Sequence, residues 1–184
     1  RFGYQLTFFR YAIAADDIKS ESNWRSKQVY MVHFALTDVN SGKFYNFERF
    51  NRGAAGLAGA STEKLKVWLD NWSIESSGDS EFPLQLRAAD KDIDIELSIE
   101  QGKAMVLQGD AGYSVKNSGE GNASYYYSFS RMPSKGRISI ARKDFDVTGL
   151  SWMDREWSSS ALGSGQIGWD WFSLQLSDDS ELVL

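Results

Sequence analysis

Between Asp92 and Ile99 the chain alternates without a break: Ile93, Ile95, Leu97 and Ile99 hold one set of positions, Asp92, Asp94, Glu96 and Ser98 the other. Neighbouring side chains of a β-strand point to opposite faces, so this pattern puts four branched apolar groups on one side and the charges on the other. A helix would scatter both sets around its circumference. The segment reads as an antiparallel strand with one face in the core and one in water, and such a strand needs partners.

Phe2 to Arg10, Gln28 to Thr37, Lys43 to Phe50, Ser124 to Arg131, Leu150 to Trp157 and Ile167 to Leu176 supply them, each rich in aromatic and branched residues. Turn chemistry falls between them at Asn40-Ser41-Gly42, Ser76-Ser77-Gly78-Asp79, Asn117 to Asn122 and Gly163-Ser164-Gly165. Aromatics form 14% of the chain and prolines number two, a bias toward pleated, half-buried surfaces. About ten short strands so spaced predict an all-β fold, an antiparallel barrel or a strongly curved sandwich. Leu65 to Trp72 satisfies both helical and strand spacing and is read as strand, while the small residues Gly53 to Ala60 are read as a close-packed loop. The 184 residues fit one domain, 1–184, long enough to bury a core. Because Arg1-Phe2-Gly3-Tyr4 already has strand character, a segment is expected upstream of it.

Composition removes several function classes. Twenty basic against twenty-five acidic side chains give a net charge of -5, which offers nothing to a phosphate backbone, so no nucleic-acid partner is expected. Without cysteine, and with His33 as the lone histidine, no metal site of the usual His or Cys type is expected. No organic cofactor is implied. No apolar run reaches the length of a membrane span, and any export signal is expected in the segment upstream of the first strand. Gly163 to Gly168 matches the dinucleotide fingerprint as a string, but a strand rather than a helix is expected after it, so a hairpin is the better reading.

Four phrases carry a resemblance: Phe2-Gly3-Tyr4-Gln5-Leu6-Thr7-Phe8-Phe9-Arg10, Asn122-Ala123-Ser124-Tyr125-Tyr126-Tyr127-Ser128, Ser151-Trp152-Met153-Asp154-Arg155-Glu156-Trp157-Ser158 and Gly168-Trp169-Asp170-Trp171-Phe172. Together they resemble the hydroxyneurosporene synthase (carotenoid 1,2-hydratase) family and its AttH-type relatives. The resemblance implies a lipocalin-like β domain, the first of two in the native chain, whose opening Glu-Trp-Trp-Tyr strand lies outside this sequence. It also implies an apolar small molecule as ligand, with some relatives adding water across a carbon–carbon double bond of a polyene. A second lipocalin-like domain of the same chain is the implied partner. A cell-envelope, periplasmic or secreted location follows from the same relatives.

Alternation puts Trp152, Asp154 and Glu156 on one strand face and Met153, Arg155 and Trp157 on the other. Two carboxylates about 7 Å apart beside an indole form a pair in which one would be pushed toward its protonated form, and alkene hydration needs such an acid together with a base for the attacking water. The same residues also fit a salt-bridged rim of Asp154, Arg155 and Glu156. His33 shares a face with Val29, Met31 and Ala35 and is either a proton shuttle or a satisfied core histidine. Arg10, Glu48 and Arg49 fit an inward arginine–carboxylate network, though ordinary solvated charges at strand ends are the favoured reading. Tyr125, Tyr126 and Tyr127 put hydroxyls on both strand faces, where they orient a ligand oxygen or form a packing ladder. Asp170, expected on the face of Phe172 and Leu174, needs a partner there, and Arg155 is the expected one.

The candidate catalytic residues are therefore Asp154, Glu156 and His33, and the candidate ligand-binding residues Trp152, Trp169, Trp171, Tyr126, Tyr127 and Arg155. Three functions fit: a module that binds an apolar small molecule, a hydratase acting on an isoprenoid or carotenoid-like substrate, and a structural module assembled on a second domain.

Overall fold

In the computed structural model, residues 1–13, 22–61, 63–117, 121–159, 165–168 and 170–184 are described. They form the strands β1 (Phe2–Ala12), β2 (Gln28–Asp38), β3 (Lys43–Arg52), β4 (Ala58–Ser61), β5 (Lys66–Leu69), β6 (Trp72–Ser76) and β7 (Leu84–Asp90). The remaining strands are β8 (Ile93–Ile99), β9 (Val106–Leu107), β10 (Tyr113–Val115), β11 (Ala123–Ile140), β12 (Lys143–Trp157), β13 (Ser173–Gln175) and β14 (Glu181–Val183). No helix occurs among the described residues. The fold is all-β and antiparallel, as the alternation demands: β1-β2-β3 form one sheet, β10-β11-β8-β7-β6-β5-β4 a second, and β13-β14 a hairpin. Strands β9 and β12 also pair with β11.

The chain divides into two compact units, Arg1–Ser98 with Lys135–Val147 and Ile99–Ser134 with Thr148–Leu184, and the long strands β11 and β12 run through both.

The core of the first unit follows the period of two. Tyr30, Val32, Phe34 and Leu36 of β2 are buried, and Ile93, Ile95 and Leu97 of β8 are buried while Asp94 and Glu96 are not. Phe34 stands edge-on to Trp72 and stacks on Phe47, each at 5.7 Å between ring centroids, contacts that add directional stabilisation to the buried area. Arg49 lies 4.1 Å over the Trp72 ring and reaches Asp90 at 2.9 Å, the Ala89 carbonyl at 3.0 Å and Asn71 at 2.5 Å. The expected network of Arg10, Glu48 and Arg49 does not form as drawn: Arg49 pairs with Asp90, Glu48 faces His33, and Arg10 is exposed. Gly136 of β11 passes so close to β8 that a Cβ there would stand 2.0 Å from the Glu96 carbonyl oxygen.

Three sequence boundaries are corrected. Leu65 to Trp72 is not one strand: β5 ends at Leu69, Asp70 takes a left-handed φ of 53°, and Trp72 opens β6, with the turn placing Leu69 opposite Trp72. The mixed periodicity of that stretch comes from a hairpin folded inside it. Gly53 to Ala60 is not all loop, because Ala58–Ser61 pairs with β5 as β4. Among its described residues, Ile167 to Leu176 contains only the short β13, and Asp170 is exposed outside any strand and needs no buried partner.

In the second unit β11 alternates Ser124, Tyr126, Ser128, Ser130, Met132 and Ser134 into the interior. The β13–β14 hairpin is tied down by ions: Glu181 takes Lys103 Nζ at 2.9 Å and Arg131 Nε at 2.5 Å, and Arg131 also reaches Asp179 at 3.1 Å. Gln175 Nε2 donates to the carbonyls of Ser130 and Ser151, at 2.7 and 3.1 Å, carrying the hairpin onto the β11 and β12 backbones.

Candidate functional site

The polar residues of unit two converge on one face of β11 and β12. Alternation gives that face Ser124, Tyr126 and Ser128 from β11 and Trp152, Asp154 and Glu156 from β12. Asp154 Oδ1 accepts two hydrogen bonds, from Ser128 Oγ at 2.5 Å and from Trp152 Nε1 at 2.8 Å. Ser128 in turn accepts from Gln108 Nε2 at 3.0 Å, so a directed chain of donors runs from Gln108 through Ser128 to the carboxylate. Ser128 is fully buried, which makes the chain costly to break.

Tyr126 is buried beside this carboxylate, and its hydroxyl accepts from Trp171 Nε1 at 3.2 Å. Burial raises the phenol above its ordinary range, and the charge of Asp154 adds to the rise while the Trp171 hydrogen bond opposes it. The group therefore stays a protonated donor throughout the neutral range. Lys116 Nζ stands 5.1 Å over the same ring. It also pairs with Glu156 Oε1 at 2.7 Å, which further accepts from Ser124 Oγ at 2.5 Å. Glu156 is thus an ion-paired group at the exposed end of the row, with Lys116 as its cation.

The structure brings Trp152, Asp154, Glu156, Tyr126 and Trp171 together, and sets Tyr127 and Arg155 on the opposite strand face. There Arg155 stands 5.4 Å over the Tyr127 ring, and Tyr125 stacks on Trp157 at 5.8 Å with Tyr113 edge-on at 6.0 Å, the packing-ladder arrangement. Trp169 lies outside the described residues. His33 belongs to the first unit, half-exposed on the outer face of β2, with Nε2 at 2.9 Å from Glu48 Oε2 and the ring edge-on to Phe9 at 5.2 Å. Its carboxylate neighbour is Glu48.

Sequence reasoning missed Ser124, Ser128, Gln108 and Lys116. The serines were signalled, since they alternate with Tyr126 along one strand. Lys116 and Gln108 were not, because they arrive through strand pairing and turns such as the Lys116 amide to the Asn122 carbonyl at 2.8 Å. Among the described residues no cluster of three or more His, Asp or Glu side chains is arranged to hold a metal.

The antiparallel fold with a polar-aromatic row inside long paired strands defines a lipocalin-like β protein. An AttH-like family model matches residues 1–184, and the chain belongs to that family. The crystal structure of an AttH from Nitrosomonas europaea is 35% identical over 99% of this chain, with a TM-score of 0.85, and this chain covers 53% of it. Kievitone hydratase from Nectria haematococca has the same fold at a TM-score of 0.61, with 10% identity over 84% of this chain and 55% of that one. The chain thus spans about half the length of these structures. No curated protein sequence matches it.

Proposed function

We propose that the domain binds an apolar small molecule carrying a hydroxyl or carbonyl group, held at the Asp154–Tyr126 row. The observation that carries this reading is the division of labour in the row. Asp154 Oδ1 is occupied by Ser128 and Trp152, which fixes the carboxylate and turns it into an oriented acceptor. Tyr126 remains a phenol, and a ligand oxygen would share its hydroxyl with the neighbouring Asp154 and Ser128. Trp152 and Trp171 provide the apolar flanks, so a ligand with one polar end finds both an anchor and a wall. Titration of the chain with carotenoids, isoprenoid alcohols and fatty acids, followed by tryptophan fluorescence, tests this: saturable quenching is expected, and none with any of them would overturn it.

A second reading, hydration of an isoprenoid or carotenoid-like double bond, is favoured by the same pair. An oriented carboxylate beside a phenol offers an acceptor for the proton of an attacking water and a hydroxyl donor nearby. The fold shared with a hydratase makes that chemistry the natural one to assay. A ligand recovered heavier by one water identifies it; a ligand recovered unchanged leaves binding alone.

The Tyr113–Tyr125–Trp157 row favours an added assembly role, with a second lipocalin-like domain as its partner. Tyr125 and Trp157 are 57% and 52% exposed, unusual for stacked aromatics on a sheet.

A further inference from the structure

The first unit carries a second site, none of whose residues belongs to the Asp154 row. A hollow of about 550 Å³ on the β4–β7 part of the sheet is lined by Trp68, Lys66, Glu75, Asp70, Asn71 and Arg87, with Ser61 and Ser73 beside them. It is shallow and open to solvent, a shape that suits a ligand laid on the surface rather than one enclosed. Strand register sets the floor: Gly59, Trp68, Ser73 and Arg87 form one continuous row of cross-strand partners.

Gly59 decides how the indole lies. A Cβ there would stand 2.4 Å from Trp68 Cη2, so only glycine lets the ring settle against the β4 backbone. Trp68 Nε1 then donates to the Gly56 carbonyl at 3.0 Å, which fixes the ring in its plane. The result is a positioned aromatic platform at the edge of the hollow, over which Lys66 Nζ stands 5.7 Å from the ring centroid, so a ring stacked there would take the place of that ammonium group.

The rim around it is charged but balanced. Lys66 and Arg87 oppose Asp70 and Glu75, and Lys66 pairs with Glu75 at 2.9 Å. Arg87 is oriented by Glu96 at 3.0 Å, and Asn71 by Arg49. A wholly apolar ligand would desolvate these groups without replacing their hydrogen bonds. An anionic or cationic one would meet charges of both signs. A pyranose ring matches both features, because its C–H face lies flat on an indole and its hydroxyl rim both donates and accepts.

We propose that this hollow is a binding site for a neutral carbohydrate, with Trp68 as the stacking platform and Lys66, Glu75, Asn71 and Arg87 as its hydroxyl partners. The test is isothermal titration of the full chain with maltotetraose, cellotetraose and chitotetraose, repeated on Trp68→Ala and Glu75→Gln, with circular dichroism to verify each fold. Saturable binding of at least one oligosaccharide is expected, weakened about tenfold or more by Trp68→Ala. Glu75→Gln, which keeps the platform, is expected to weaken it as well, and Asp154→Asn to leave it unchanged. The absence of saturable binding to all three sugars overturns the proposal. So does binding that both Trp68→Ala and Glu75→Gln leave intact.

Discussion

The Ser128 hydroxyl stands 2.5 Å from Asp154 Oδ1, and it is the only link between that carboxylate and the Gln108 amide among the described contacts. Replacing Ser128 with alanine takes one partner each from Asp154, which keeps Trp152, and from Gln108, both of them half-buried. A loss of about 1 kcal/mol is expected, read as a lower urea midpoint with unchanged slope.

Asp154→Asn keeps an oxygen able to accept from both Ser128 and Trp152, so the fold should hold to within about 1 kcal/mol. Its chemistry should not. Under the binding reading the variant loses ligand affinity, by about tenfold for one charge-assisted hydrogen bond. Under the hydration reading affinity persists and turnover disappears. Parallel titration and product analysis on one preparation separate the two.

Glu181 titrates below the ordinary glutamate range, first because Arg131 donates to it and then because Lys103 does. A carboxyl lowered in the folded state contributes stability that is complete above its unfolded value, about 4.3, and is lost as pH falls through the lower folded one. The β13–β14 hairpin should therefore loosen in acid. Hydrogen exchange at the Leu174 and Leu182 amides, measured from neutral pH downward and corrected for intrinsic rates, should show protection falling in that window. The Glu181→Gln variant should lack the step.

Gly136→Ala forces a methyl into the Glu96 carbonyl, 2.0 Å away by construction, where β11 and β8 already touch. Backbone cannot yield as a side-chain tip can, so about 1–3 kcal/mol of destabilisation is expected. Gly149→Ala, which meets nothing within 4 Å, is the control and should change thermal stability little.

The fold was legible where burial is one-sided. Asp92 to Ile99 alternates because one face is core, and β8 runs Ile93–Ile99 as the pattern requires. It was illegible where a turn hid inside an apolar run, as at Asp70 between Leu69 and Trp72, since one residue of left-handed backbone leaves no mark in hydrophobicity. β11 extends well past the Ser124–Arg131 segment, because Pro133 and Gly136 look like breakers in isolation and are tolerated in context, and β12 begins at Lys143, ahead of Leu150. For the site, the common face of Trp152, Asp154 and Glu156 followed from alternation alone. The partners of those carboxylates did not, because Ser128, Lys116 and Gln108 are brought in by strand register and loop closure.

Two indole N–H groups report directly on the proposed ligand row: Trp152 Nε1, bonded to Asp154, and Trp171 Nε1, bonded to Tyr126. Trp72 Nε1, bonded to the Ala89 carbonyl, serves as an internal reference in the other unit. Indole proton NMR of the chain during titration with an isoprenoid alcohol should move the Trp152 and Trp171 resonances together, saturably, and leave Trp72 in place. Saturable shifts that spare both Trp152 and Trp171, or none at all across the panel of apolar ligands, would contradict the account.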